Sequence, residues 1–391
     1  MEATAENSGS TQNLPLSGVV VVELGDSASA PFAGKTLAEL GAEVWKIERS
    51  GGDSARGWGP STWKGSGGAY HALNRRKKSV RVDIKDADEL ARLQDFICDH
   101  ADVFLSNLRP GTSVKYGLDA ESLRARNPRL VHAEIGAFGG PGPLDSLPGY
   151  DPLLQAFSGI MNLTGEANQP PSRAGVSIID FGSGMWAVIG IVSALFRRNI
   201  TQEGAAVTGS LFETAIAWMS VGVANYTIDG EPGGRHGSGV RFIVPHRAYS
   251  ASDGDLVISA ANDVLFAQLA TALDHPEWAE DERFATNAGR LKNRDGLDEL
   301  IGSIVSTRTR ADWRVHLESA GVAVAPVQTT AEMVEHEHTR ALGMIAAQSP
   351  DEVAVAGLAL SFDGVRPRPL EAVHEIGEDN DEWRRMAEPD R

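Results

Sequence analysis

The chain is 391 residues long, 42% hydrophobic and 23% charged, a balance that excludes wholesale disorder and a length that exceeds one ordinary core, so two domains are expected. Its net charge of −17, from 36 Lys plus Arg against 53 Asp plus Glu, repels DNA and acidic bilayers, so neither nucleic acid nor membrane is an expected partner. A lone cysteine, Cys98, rules out an intrachain disulfide and fits a reducing compartment.

The N-terminal MEATAENSGSTQN carries no basic region followed by an apolar one and reads as a loose polar tail, residues 1–14. No apolar run approaches the roughly 20 residues of a bilayer span. A cytoplasmic location is expected on these grounds. GVVVVEL (18–24) is a continuous apolar run, the mark of a strand buried on both faces. PFAGKTLAELGA follows as a helix, with Pro31 suited to its first turn and Gly41 to its end. EVWKIE (43–48), VRVDI (80–84), DVFLS and LVHAEI (130–135) read as further strands, separated by helical DADELARLQDFICDHA and DAESLRARN. This alternation predicts an α/β fold with a doubly wound, mostly parallel, Rossmann-like sheet. Cys98, in LQDFICDH, falls at a helix core position rather than that of a reactive thiol.

The first strand–helix turn, ELGDSASAPFAG, lacks the G-x-G-x-x-G of dinucleotide sites, and no GxxxxGK[ST] phosphate loop occurs, so NAD and ATP chemistry are disfavoured. NRRKKSVRVDIK concentrates Arg75, Arg76, Lys77, Lys78, Arg81 and Lys85, which suits either a small polyanion or a solvated turn before a strand.

In GVSIIDFGSGMW (175–186), Val176, Ile178 and Ile179 read as the end of a buried strand. Phe181, Met185, Trp186 and the run AVIGIVSALF read as a buried helix. Asp180 sits at the seam, followed by Gly182 and Gly184. From the residues alone it is either a helix N-cap, accepting from residue 182 or 183, or a carboxylate placed for chemistry. AVTGSLFETAIAWMSVGVANYTIDG predicts a strand and a long helix, and the Gly/Pro-rich residues 231–254 a connector. A second unit begins at DLVISAAND, continues through helices around VLFAQLATAL, LDELIGSIVS and RADWRVHLESAG, and includes a short strand VAVAPV (322–327); from 330 onward come another helix, a strand-like EVAVAGLAL and a polar tail. His336 and His338 stand two apart without a third ligand nearby, a solvated helix face rather than a metal site.

Several segments in order, among them LAELGAEVWKIE with GGDSAR, NRRKKSVRVDIK, SNLRPGTSVKYGLDAESLRARNPRLVHAEIGAFG, GYDPLLQAFSGIMNLTGE, RAGVSIIDFGSGMWAVIGIVSAL and SGVRFIVPHRAY, make the chain resemble the class III CoA-transferases, which include formyl-CoA transferase, carnitine CoA-transferase and α-methylacyl-CoA racemase. The resemblance runs from about Leu16 to Met344. It implies a homodimer of ring-shaped, interlocked chains, each with a large α/β domain and a smaller α+β domain. Mapped onto this chain, residues 15–205 form the N-terminal part of the large domain, 206–236 a linker helix, 237–328 the small domain and 329–391 a linker and C-terminal part returning to the large domain.

The resemblance makes Asp180 the nucleophile that attacks an acyl-CoA thioester, passing through an aspartyl anhydride and an aspartyl-CoA thioester. Gly182 and Gly184 would then leave the approach bare, with helix-start N–H groups stabilising the oxyanion. It carries CoA contacts onto Arg49, Val82, Lys85, Asn107, Leu108, Lys115, Tyr116 and Phe138. Acid-substrate contacts fall on Ala28, where formyl-CoA transferase has glutamine, and on Tyr150, Gly182 and Gly184. The racemase's acid–base histidine is replaced in Gly149-Tyr150-Asp151 by a tyrosine, a weak base at neutral pH, which disfavours proton shuffling. The expected substrates are an acyl-CoA and a small carboxylic acid, with no metal and no further cofactor. The competing readings are a racemase or isomerase using Asp180 as base, and a binder of acyl-CoA without turnover.

Overall fold

The structure is a computed structural model that describes residues 14–347, 349, 351–367 and 371–387. All but the last residue of the expected N-terminal tail lie outside the described residues. The chain divides into two compact units. The first comprises 1–158, 175–221 and 337–391, and the second 159–174 and 222–336.

The first unit is built on six strands: β1 (Val20–Leu24), β2 (Glu43–Glu48), β3 (Lys77–Arg81), β4 (Val103–Ser106), β5 (Val131–Gly136) and β6 (Ala206–Ser210). They pair in the order β3-β2-β1-β4-β5-β6, and every pairing is parallel. This is a doubly wound order whose switch point lies between β1 and β4. Successive residues alternate between two apolar layers. Val21, Val44, Leu105 and Val131 pack with α1 (Ser29–Glu39) and the long helix described below. Val22, Trp45 and Phe104 pack with α2 (Ala87–His100). Both faces are covered, which is why GVVVVEL carries no polar alternation.

Two further helices shape the edge of this unit. They are α3 (Asp151–Phe157) and α4 (Ile178–Thr201), the latter running 24 residues. A shorter helix, α5 (Leu211–Trp218), follows β6 directly. By length and composition alone α4 could cross a bilayer, but half of its most apolar stretch is buried inside the protein. Ile179, Ser183, Ala187, Ile191 and Leu195 are buried at helical spacing, while Met185, Trp186, Ile189, Phe196 and Ile200 form an exposed apolar stripe.

The strand expected at 175–179 does not form. Val176 is 61% exposed and the helix already starts at Ile178, because the buried positions from Ile179 onward repeat every three to four residues. The strand read at 80–84 lies instead at Lys77–Arg81, since the Lys77 ammonium is neutralised inside the protein and the position tolerates burial. EVAVAGLAL contributes only Val355–Ala356, paired with Ile345–Ala346.

The second unit holds an antiparallel sheet of β7 (His246–Ala251), β8 (Gly254–Ser259) and β9 (Ala323–Pro326), with β8 central. Around it stand α6 (Asp263–Ala272), α7 (Arg294–Val305) and α8 (Arg310–Ser319), sharing a core that includes Leu256, Ile258, Phe266, Ile301 and Trp313. Arg290 is fully buried there, donating to the carbonyls of Val244 and Phe284 and to Asp263.

Candidate active site

In a parallel sheet the loops leaving the C-terminal strand ends converge on one edge, where open α/β folds bind ligands. Ala28 follows β1, Arg49 follows β2, Val82 and Lys85 follow β3, Asn107 and Leu108 follow β4, and Phe138 and Tyr150 follow β5, all on that edge. Asp180 reaches the same edge. Phe181 stacks on Phe32 of α1 at 4.8 Å between ring centroids, and Ser183 bonds Thr214 of α5 at 2.8 Å.

Asp180 lies in the first turn of α4, half-buried, and its carboxylate makes no hydrogen bond among the described residues. The N-cap position is Ser177 instead, so the capping reading of Asp180 is not the one observed. The caps come from Asp151, the first residue of α3, which is almost fully buried. Its Oδ2 accepts the N–H of Ile179 at 2.8 Å and of Asp180 at 3.2 Å, and its Oδ1 accepts the Gln155 amide at 2.5 Å. Burial, and secondly the Asp151 charge, push the Asp180 carboxyl up to about 7. A carboxylate held this way is more basic than an aspartate in water.

This geometry corrects two expectations. The helix-start amides are already engaged: Ile178 donates to Val176, Ile179 and Asp180 to Asp151, and Phe181 to Ser177. They are not free to hold an oxyanion. Nor do the glycines keep an approach path bare. A Cβ on Gly182 would meet Trp218 at 2.7 Å and Thr214 at 2.9 Å, and one on Gly184 would meet the Ser29 carbonyl at 2.7 Å and Phe32 at 2.9 Å. Both are small because α1 and α5 pack directly against α4.

The carried-over CoA positions divide by exposure. Arg49 keeps 66% of its side chain exposed while donating to the Gly52 carbonyl and to Ser54 Oγ. Lys85 and Lys115 are exposed, with the Lys115 ammonium 4.9 Å from the Tyr116 ring centroid. Asn107 braces the switch point: its Oδ1 accepts the Asp26 N–H and its Nδ2 donates to the Asp26 carbonyl and to Ser29 Oγ. Leu108 and Tyr116 rest partly buried on the core. Val82 is a core residue, 2% exposed, so its side chain cannot reach adenine. Phe138 packs with Phe157 and Phe212, ring centroids 5.3 and 6.0 Å away. Ala28 is buried at the start of α1, whereas Tyr150 is exposed at the start of α3.

The basic run is largely consumed inside the protein. Lys77 pairs with Glu23 at 2.7 Å, and Lys46 bridges Glu23 and Asp53 at 2.9 and 2.8 Å, all of them buried. Burial, opposed by Glu23, lowers Lys77 to about 8. Lys78 pairs with Glu43 and Glu382, and Arg76 with Glu371. Of the six residues only Arg81 and Lys85 are exposed, so the run is neither one polyanion site nor a solvated turn: Lys77–Arg81 is a largely buried strand. Sequence reasoning also missed Asp26, raised above the usual carboxylate range by burial and by Asp53 beside it, and Asp151. The signal for Asp151 was Asp-Pro opening a helix, beside the Tyr150 that received the attention.

Among the described residues no cluster of three or more His, Cys, Asp or Glu is placed to hold a metal. Cys98 is buried and its thiol is raised by burial.

Comparison with known proteins fits this arrangement. The profile of CoA-transferase family III matches residues 16–380. The chain is 33% identical to the succinate–glutarate CoA-transferase of Agrobacterium fabrum over 88% of each chain, and 34% identical to the acetyl-CoA:oxalate CoA-transferase of Acetobacter aceti over 85% of each. A CaiB/BaiF family protein from Brucella suis superposes with a TM-score of 0.87 at 34% identity, covering 96% of this chain and all of that one. A match of this extent, on an α/β fold with a six-stranded parallel sheet, places the chain in CoA-transferase family III: it is a class III CoA-transferase, moving coenzyme A between acyl-CoA and carboxylic acids.

Proposed function

We propose that Asp180 is the covalent nucleophile of this transferase and that coenzyme A lies along the C-terminal edge of the parallel sheet. The observation that carries the reading is a half-buried carboxylate with no hydrogen-bond partner among the described residues, raised to about 7 and presented at that edge. Its oxygen attacks the donor thioester carbonyl, the C–S bond breaks, and CoA leaves as the thiolate with the electron pair. The thiolate attacks the Asp180 carbonyl of the anhydride, releasing the donor acid and leaving an aspartyl-CoA thioester. The acceptor carboxylate then runs the two steps in reverse.

Arg49, Lys85 and Lys115 are exposed cations on this edge that suit the phosphates of the nucleotide end, and the Phe138–Phe157–Phe212 cluster supplies an apolar wall for the pantetheine. The substrates are a small carboxylic acid and an acyl-CoA. Succinyl-CoA is the proposed donor, supported by the succinate named for the Agrobacterium relative. We also propose the interlocked homodimer. The exposed stripe of α4, with Phe196 72% and Ile200 76% exposed, is the apolar surface such a partner would cover. A cytoplasmic setting belongs to the same proposal.

The test is a panel of labelled acids incubated with succinyl-CoA and other donors, read by mass, with hydroxylamine trapping at Asp180. Label should appear in CoA thioesters, and the trapped adduct should map to Asp180. Undiminished turnover in Asp180→Ala would end the nucleophile assignment.

A further inference from the structure

We propose that Asp151 is the positioning residue of this site: it fixes the first turn of the nucleophile's helix and holds a second carboxylate beside Asp180, so that acylation relieves a repulsion built into the free enzyme. The proposal rests on Asp180 being the nucleophile. Asp151 is 2% exposed and its neighbour Gln155 is fully buried. Three donors converge on its two oxygens, the Ile179 and Asp180 amides on one and the Gln155 amide on the other. Pinned in this way it cannot swing out to attack a thioester, and it acts through Asp180 alone.

The other titratable groups on the elements against α4 are engaged or face elsewhere. On α1, Lys35 pairs with Glu39 at 3.5 Å and donates to the Ala356 carbonyl. On β5, the His132 ring contacts the Leu118 carbonyl, and Glu134 stands two positions further along the strand. On α5, Glu213 accepts from Ser210 Oγ. On α4 itself, Arg198 pairs with Asp102 beside the N-terminal end of β4, away from Asp180, with Arg197 next to it. Among the described residues Asp151 is the charge that bears on Asp180.

When the Asp180 oxygen bonds to the acyl carbon, its negative charge leaves with the CoA sulfur, and the resulting anhydride is neutral beside Asp151. The aspartyl-CoA thioester is neutral there as well. Both covalent states are therefore favoured over the free carboxylate by the repulsion they remove.

Asp151→Asn separates the two roles, because the asparagine oxygen still accepts the two amides while the charge is lost. Carbodiimide coupling of an amine to Asp180 reads its protonated fraction without any substrate and is followed by peptide mass across pH. The wild-type midpoint is expected near 7, and the Asp151→Asn midpoint about one pH unit lower or more. At saturating succinyl-CoA, the hydroxylamine-trapped fraction should fall about tenfold in Asp151→Asn. Identical midpoints in the two proteins would reduce Asp151 to a cap and overturn the proposal. Should the variant fail to fold, a wild-type midpoint in the ordinary aspartate range overturns it equally. Coupling needs no acyl-CoA, so absence of any trapped adduct, which would sink the nucleophile assignment, is distinguished from failure of this one.

Discussion

Asp180 holds a charge where the fold disfavours one, and the cost is measurable as stability. Its carboxyl rises from an ordinary 3.8 to about 7 in the folded protein, a displacement of about 3 units. At about 1.4 kcal/mol per unit this is about 4 kcal/mol of destabilisation once the group is ionised, and solvent at the half-exposed carboxylate cuts it to about 2 kcal/mol. Between pH 4 and pH 7 the folded chain binds the proton that the unfolded chain has lost, so stability falls as pH rises through that window. Asp180→Asn removes the charge and, since the carboxylate makes no hydrogen bond among the described residues, removes no partner there. The variant should match wild type near pH 4 and exceed it at pH 8, by about 5 °C in thermal midpoint. Thermal unfolding followed by circular dichroism at pH 4, 6 and 8 measures this. An equal shift at all three values, or a loss at pH 8, would refute the reasoning.

Further substitutions probe the support of the site. Gly184→Ala places a methyl 2.7 Å from the Ser29 carbonyl, which as backbone cannot yield, so α1 and α4 must separate at a cost of about 1–3 kcal/mol; the thermal midpoint reports it, with Gly175→Ala, which meets nothing within 4 Å, as the neutral comparison. Lys46→Met strands Asp53 as a buried carboxylate and leaves Glu23 with Lys77 alone, and should cost about 3–5 kcal/mol, visible as lost soluble yield or a large drop in midpoint. In the second unit, Arg290→Lys can satisfy only part of what the guanidinium bonds, the Val244 and Phe284 carbonyls and Asp263, and should lower stability by about 2 kcal/mol in denaturant titration.

Strand β2 was legible in the sequence to the residue, because EVWKIE is short, β-branched and aromatic, and flanked by turns. Helix α1 was legible through Pro31 and Gly41, the latter at φ +105°, a conformation suited to glycine. The stretch 175–179 was misread, since β-branched residues before a helix carry the same local signal as a strand. Only the buried face of α4 settles the period. The basic run left two readings open for a related reason. Charge is visible in one dimension, but the carboxylates that neutralise Lys77 and Lys78 come from Glu23, Glu43 and Glu382, far away in the chain.

The sequence by itself determined the α/β alternation, the apolar strands buried on both faces, and the identity of Asp180 as the carboxylate to watch. These depend on local propensity, hydrophobic period and motif, which are properties of neighbouring residues. The strand order, the engagement of the helix-start amides and the meeting of Asp151 with Asp180 were decided only by tertiary structure. They depend on which segments pack together, and a buried carboxylate's basicity is set by the solvent it loses and the charge it faces, neither of which is written in its neighbours along the chain.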